Sequence, residues 1–106
     1  MKKETIERIN NFIKDRNWEQ FHSPANLSKA LSIEASELLE CFLWDEENYN
    51  LDHVKEELAD VIIYAQDLLE KLNLDVDEIV NNKMDKNEKK YPVEKSFGSS
   101  KKYNEI

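Results

Sequence analysis

The chain has 106 residues, enough for one compact domain with a modest core and too few for two. One Gly and two Pro disfavour an all-β fold, which needs many tight turns, and the net charge of −8 disfavours binding to a nucleic acid polymer. The longest apolar run, VIIYA, is too short to span a membrane, and no secretion signal opens the chain. Cys41 is the single cysteine, which excludes an intrachain disulfide. We therefore expect a cytoplasmic protein with no membrane partner.

The first half of the chain predicts two amphipathic helices. Helix 1 is expected over about residues 3–16, where apolar residues recur at helical spacing in IERINNFI. The segment RNWEQFHSP then ends this helix. Ser23 followed by Pro24 is a good helix start, because Ser caps free N–H groups and Pro fits the first turn. Helix 2 is expected to continue from there to about Trp44.

The second half predicts two more helices and a C-terminal arm. Asp52 is expected to cap helix 3, which runs to about residue 72, and Asp75 with Glu78 resembles a capping pair for helix 4. Helix 4 should end near Tyr91, because Pro92 disfavours helical geometry in the residue before it.

These elements predict one all-α domain, residues 1–106, built as a four-helix bundle. Its helical body covers about residues 3–91, and an irregular C-terminal arm covers about residues 92–106.

An acidic residue interrupts the apolar stripe of helix 2. At steps of about 100° around an ideal helix, Glu34 lies inside the apolar arc, close to Cys41 and Ala30. Glu37 lies on the border of that arc, beside Trp44. A buried carboxylate without a partner is costly, so an acid at this position needs compensation.

Helix 3 repeats the arrangement, with Glu57 at the edge of its apolar stripe and Asp60 one step further out. Asp67 is expected to face solvent. Each helix thus presents an acid pair at i, i+3 spacing, and such residues are neighbours on the helix surface. If the two helices pack together, four carboxylates converge and a divalent cation would offset their repulsion. Oxygen ligands favour Mg²⁺ or Mn²⁺ over zinc. The competing interpretation is that Glu-rich helices place some acids at the border by chance.

The stretch EASE followed by EELADVIIY resembles the ExxE…ExxD signature of the MazG-like nucleoside triphosphate pyrophosphohydrolases. RNWEQFHSPANL, Trp44 and KMDKNEKKYPVEKSFGSSKKY resemble the dCTP pyrophosphatase subgroup, and the similarity covers about residues 8–106. The resemblance implies an all-α fold that assembles as a homodimer or a dimer-of-dimers tetramer. It also implies Mg²⁺-dependent hydrolysis of a nucleoside triphosphate, such as dCTP or a modified nucleotide, to the monophosphate and pyrophosphate. Such an activity clears unwanted nucleotides from the pool.

The resemblance also implies the site residues. The metal ligands and catalytic acids would be Glu34, Glu37, Glu57 and Asp60, the same four acids that the helical geometry selects. Trp18 and Trp44 would embrace the base, and His22 and Tyr64 would be further contacts to the substrate. The residues that approach the phosphates would be Lys83, Asn87 and Lys90. Position 90 is often Arg in the family, and Lys cannot make the planar two-pronged contact of Arg with phosphate.

Other interpretations remain open from the sequence. A non-catalytic acidic helical bundle could dock a protein partner, and an isolated Trp is more often found in a core or an interface than against a base. A di-iron carboxylate protein would need Glu-x-x-His elements on two helices, whereas this chain has one, Glu19 to His22, in a linker. Within the same chemistry, dUTP or a phosphoribosyl-ATP intermediate are alternative substrates.

Overall fold

The computed structural model describes residues 1–105, and within this range the protein contains helices and no β-strand. The four long helices are α1 (Lys3–Asp15), α2 (Pro24–Glu40), α3 (Leu51–Leu72) and α4 (Val76–Lys90). The shorter elements are α5 (Val93–Ser96) and two 3₁₀ segments, Trp18–Phe21 and Tyr103–Glu105. The all-α class with four long helices is therefore confirmed. The prediction that the C-terminal arm is irregular is wrong in part, because the arm includes α5 and the second 3₁₀ segment. The last residue of the arm, Ile106, lies outside the described range.

Two of the predicted helix starts are confirmed by their capping hydrogen bonds. The Ser23 hydroxyl accepts a hydrogen bond from the backbone N–H of Asn26 at 3.1 Å, and Pro24 occupies the first turn of α2. The Asp75 carboxylate accepts one from the backbone N–H of Glu78 at 2.9 Å, at the start of α4. Both side chains satisfy N–H groups that have no partner within their own helix.

The predicted cap of α3 is wrong. Asn50, not Asp52, caps this helix, because the Asn50 side-chain oxygen accepts hydrogen bonds from the backbone N–H groups of Asp52 and His53 at 3.0 and 3.3 Å. Asp52 instead lies in the first turn, where its negative charge interacts favourably with the helix dipole.

The predicted end of α2 is also wrong, because the helix stops at Glu40 instead of reaching Trp44. Beyond it, the N–H groups of Cys41, Phe42 and Leu43 bond to carbonyls three residues back instead of four. This tighter pattern is typical of a helix's final turn. Trp44 therefore lies past the helix, in the connector to α3.

The chain divides into two compact units, of which the first is Met1–Asn73. In this unit α2 packs along α3, and α1 contacts both the first 3₁₀ segment and α3. Its buried hydrophobic residues are Ile13 and Leu27. The first unit thus holds α2 and α3, the two helices that carry the predicted acid pairs.

The second unit begins at Leu74 and contains α4, α5 and the second 3₁₀ segment. α4 ends at Lys90, next to the predicted end at Tyr91. The Tyr91 and Tyr103 rings meet edge to face with centroids 6.3 Å apart, and the Lys90 ammonium lies 4.9 Å from the Tyr103 ring centroid. These contacts join the end of α4 to the arm.

None of the helices within residues 1–105 combines the length and apolar content needed to cross a lipid bilayer.

Candidate active site

Carboxylates from α2 and α3 converge where these two helices pack. One oxygen each from Glu34, Glu37 and Glu57 lies within 4.8 Å of the other two, and we call these residues the three-glutamate cluster. Glu34 and Glu37 are one turn apart on α2, and helix packing brings Glu57 of α3 to them. Asp60, one turn after Glu57, is outside this close group. The structure therefore brings together three of the four predicted acids directly.

The electrostatics of the cluster reflect carboxylates forced close together. Burial raises the pKa of Glu34 from 4.5 to about 7, assisted by its hydrogen bond with Glu37 and by repulsion from Glu37, Asp60 and Glu57. A hydrogen bond with Glu37, followed by burial, raises the pKa of Glu57. Like charges and desolvation both disfavour the ionised form of a carboxyl group. The cluster is therefore costly while it lacks a positive partner.

The donor set of the cluster fits a hard divalent cation. The Oε2 atoms of Glu34 and Glu57 are shielded from solvent and have no hydrogen-bond partner. Buried polar atoms without partners are rare in proteins, and a cation would satisfy both. Because all the ligand atoms are carboxylate oxygens, the set suits Mg²⁺ or Mn²⁺. It contains no His among the described residues, unlike the mixed ligand sets of di-iron bundles.

A cavity of about 660 Å³, here called the Trp18 cavity, opens within the first unit. Its lining includes four of the predicted site residues: Trp18, His22, Asp60 and Tyr64. Asp60 also repels Glu34 and Glu57 and so connects the cavity to the three-glutamate cluster. Burial raises the pKa of the Tyr64 hydroxyl, and negative charge on Glu34, Asp67 and Asp60 adds to that effect. Tyr64 is thus close enough to these three acids for their negative charge to affect its pKa.

The position of Trp18 follows from the break between α1 and the first 3₁₀ segment. Asn17 adopts a left-handed conformation, with φ of 55°, which Asn tolerates better than most residues. This turn places the Trp18 ring edge to face against Phe12, with centroids 5.6 Å apart. The Arg16 guanidinium covers the Phe12 ring at 3.8 Å. An aromatic wall is therefore built locally from α1 and the segment that follows it.

The prediction for the exposure of Asp67 is wrong. The sequence predicts a solvent-facing residue, but the side chain is 6% exposed in the structure. It lies on α3 and lines both the Trp18 cavity and a second cavity of about 460 Å³, here called the Lys71 cavity. The helical projection considered only the stripe that packs on α2, whereas α3 also contacts α1. This second contact buries Asp67.

Other residues that line the Trp18 cavity were not predicted as site residues, among them Arg8, Phe12 and Asp67. A signal for Asp67 was present, because residues 60, 64 and 67 follow i, i+4, i+7 spacing and share one face of α3. Arg8 and Phe12 carried no such signal, since only tertiary packing shows which face of α1 meets the cavity.

The remaining predicted residues lie elsewhere. The Trp44 side chain is 92% exposed and is not among the residues that line either cavity. Lys83, Asn87 and Lys90 are on α4, in the second unit, where their i, i+4, i+7 spacing gives them a common face. Their role in binding substrate stays a prediction.

Comparisons with known proteins agree with this geometry. The profile of the MazG-like family matches residues 29–106. The dCTP pyrophosphatase 1 of Mus musculus is 38% identical over an alignment that covers 97% of this chain and 66% of the mouse protein. The Bos taurus protein of the same name is 40% identical, with 97% and 67% covered. The chain therefore spans about two thirds of the length of these relatives.

A solved structure is similar as well. A pyrophosphatase from Archaeoglobus fulgidus matches with a TM-score of 0.74 and 37% identity, over 84% of this chain and 90% of the archaeal one. The family profile covers most of the sequence, and the fold and the sequence point to the same group of proteins. The chain belongs to the MazG-like family.

Proposed function

We propose that the protein hydrolyses a deoxynucleoside triphosphate, dCTP or a related or modified nucleotide, to the monophosphate and pyrophosphate. The observation that carries this proposal is the three-glutamate cluster, linked through Asp60 to an aromatic cavity. Phosphates need positive charge, which a cation held by the cluster would supply, and a base needs an apolar surface, which the Trp18 cavity offers. Membership of the MazG-like family and similarity to dCTP pyrophosphatases support the same reaction.

The proposed metal site consists of Glu34, Glu37, Glu57 and Asp60, with Mg²⁺ as the cation and Mn²⁺ as a substitute. These four residues would hold the cation, whose chemistry when bound would be to lower the pKa of a coordinated water and to neutralise charge on the phosphates. Glu37 lies close to both Glu34 and Glu57, and its proximity raises the pKa of each of them. It is our candidate to accept the proton of the attacking water. Trp18 and Tyr64 would hold the base in the cavity, with His22 as a polar contact.

The test is a panel of nucleoside triphosphates incubated with Mg²⁺, with pyrophosphate and orthophosphate quantified separately. Release of pyrophosphate together with the monophosphate is expected, with dCTP among the best substrates. Release of orthophosphate alone would identify a different phosphohydrolase. Absence of any release, with no change in thermal stability on adding Mg²⁺ and nucleotide, would favour the non-catalytic bundle.

We also propose that the protein is a homo-oligomer, a dimer or a dimer of dimers. Apolar side chains on and after α2 are strongly exposed, including Ile33 (59%), Leu39 (64%) and Leu43 (56%). Among the described residues, the only hydrophobic residues that are buried are Ile13 and Leu27. Extended exposed apolar surface is characteristic of proteins that bury it against a partner.

A further inference from the structure

Asp67 is a buried acid that the proposed reaction does not use. Its side chain is 6% exposed, and its Oδ1 atom has no hydrogen-bond partner. It lines the Trp18 cavity together with Trp18, His22 and Tyr64. A buried carboxylate oxygen without a partner costs free energy, so its presence in a cavity wall calls for a ligand that donates a hydrogen bond.

We propose that Asp67 selects the base of the nucleotide by accepting a hydrogen bond from an exocyclic amino group. A pyrimidine with an amino group at position 4 of the ring would be accepted, and one with a carbonyl oxygen there would be rejected. The inference rests on the proposed function, because it takes the occupant of the cavity to be a nucleotide.

The hydrogen-bonding chemistry distinguishes the two bases. An ionised carboxylate can only accept hydrogen bonds, so it pairs with an amino group and opposes the lone pairs of a carbonyl oxygen. Asp and Glu are the side chains that accept from the amino group of cytosine in protein–DNA complexes. Sites built around a buried polar partner reject analogues that lack the matching group far better than apolar pockets do.

The position of Asp67 along α3 also suits this role. Asp67 follows Asp60 by seven residues on the same helix face, which corresponds to a rise of roughly 10 Å. Asp60 lies beside the three-glutamate cluster, where the phosphates would bind, and Asp67 lies further along the same cavity wall. In a bound nucleotide, the phosphates would therefore lie near Asp60 and the base edge near Asp67.

His22 supports the ionised form of Asp67. It lines both the Trp18 cavity and the Lys71 cavity, as Asp67 does. Burial raises the pKa of the Asp67 carboxyl, whereas positive charge on His22 lowers it. Positive charge on a histidine beside the carboxyl group thus partly offsets the effect of burial on the Asp67 pKa.

The experiment compares kcat/KM for pyrophosphate release from dCTP and dUTP in the wild type, Asp67→Asn and Asp67→Ala. Glu70→Gln is the matched control, because Glu70 is an exposed acid on α3 that lines the Lys71 cavity but not the Trp18 cavity. The wild type and Glu70→Gln should prefer dCTP to the same degree. In Asp67→Asn the preference should fall by about tenfold or more, because the amide can donate to the carbonyl oxygen of uracil. Asp67→Ala should also lose preference.

A calorimetric measurement of dCMP and dUMP binding in the absence of metal separates this inference from the proposed function. If no triphosphate yields pyrophosphate, the proposed function fails, and a preference for dCMP that Asp67→Asn removes would still support the role of Asp67. If pyrophosphate is released but the Asp67 variants keep the wild-type preference for dCTP, the proposed function stands and the inference is wrong. A purely structural role is the explanation if Asp67→Asn lowers stability and leaves both ratios unchanged.

Discussion

The Glu34 carboxyl group lies where burial and neighbouring acids both oppose its ionisation. Helical spacing alone places it within the apolar arc of α2, and in the structure its Oε2 atom is shielded and unpartnered. The convergence of Glu37 and Glu57 on it was predicted on the condition that α2 and α3 pack together, which they do. An acidic side chain within an apolar helical stripe therefore indicates a candidate site from the sequence alone.

Replacing Glu34 with Gln should have opposite effects on activity and on metal-free stability. Turnover should be lost, because a carboxylate ligand is removed. In EDTA, the wild type should lose free energy of unfolding as pH rises from 4.5 through about 7, because the folded state then holds a proton that the unfolded state has released. The Gln variant cannot ionise, so its stability should depend less on pH and exceed that of the wild type at pH 8. Urea denaturation at several pH values measures this.

Glu40→Gln is the matched control, since Glu40 is an exposed acid on the same helix. It should keep both the turnover and the pH dependence of the wild type. Normal pyrophosphate release by Glu34→Gln would remove the metal-site proposal.

Replacing Trp18 with Ala should raise KM for dCTP by about tenfold and lower kcat less, because stacking of a base on an aromatic ring contributes about 1–3 kcal/mol. Steady-state kinetics give both constants. Phe21→Ala is the control, since Phe21 lies in the same 3₁₀ segment, is 59% exposed and does not line the Trp18 cavity. A fall in kcat with an unchanged KM would contradict a role in holding the base.

At the scale of helices, the sequence predicts the elements well and their ends less well. The caps at Ser23 and Asp75 are confirmed, and each has a second signal beside it, Pro24 after Ser23 and Glu78 three residues after Asp75. Asn50 and Asp52 are both suitable caps, so composition could not separate them, and the chosen one depends on backbone geometry. The prediction that Asp67 faces solvent is wrong for a related reason. A helical projection of α3 does not show that α1 contacts this helix in addition to α2.

Asn50→Ala should lower the free energy of unfolding by about 1 kcal/mol, because α3 loses the acceptor for its first N–H groups. Asn50→Ser, which keeps a capping oxygen, should lose much less. Chemical denaturation of the two variants in the same buffer measures the difference. Equal losses would mean that the Asn50 side chain does not stabilise the start of α3.

At the scale of the whole molecule, many large apolar side chains are exposed. The length of the chain predicts a modest core, but it does not predict that Leu39 and Leu43 are more than half exposed. Periodicity identifies an apolar face but does not say whether the same chain or another copy covers it. The prediction of an oligomer therefore depends mainly on the resemblance to the MazG-like family.

Leu39→Lys should weaken the proposed oligomer, because a charge replaces an apolar side chain that is 64% exposed. Sedimentation should show a mass near that of one chain, 12.6 kDa, whereas the wild type should sediment as a multiple of it. Ser28→Lys, at an exposed polar position of the same helix, should behave as the wild type does. A wild type that already sediments as a single chain would contradict the proposed assembly.

The uninterrupted course of α3 has an evolutionary consequence. Glu57, Asp60 and Asp67 are carried by one rigid helix without a break between them. Glu57 and Asp60 belong to the proposed metal site, and Asp67 is proposed to select the base. On that assignment, a single codon change at position 67 would alter the preferred base without affecting bond cleavage. New specificities would then arise among descendants of this sequence by substitution at position 67, with the hydrolytic apparatus inherited intact.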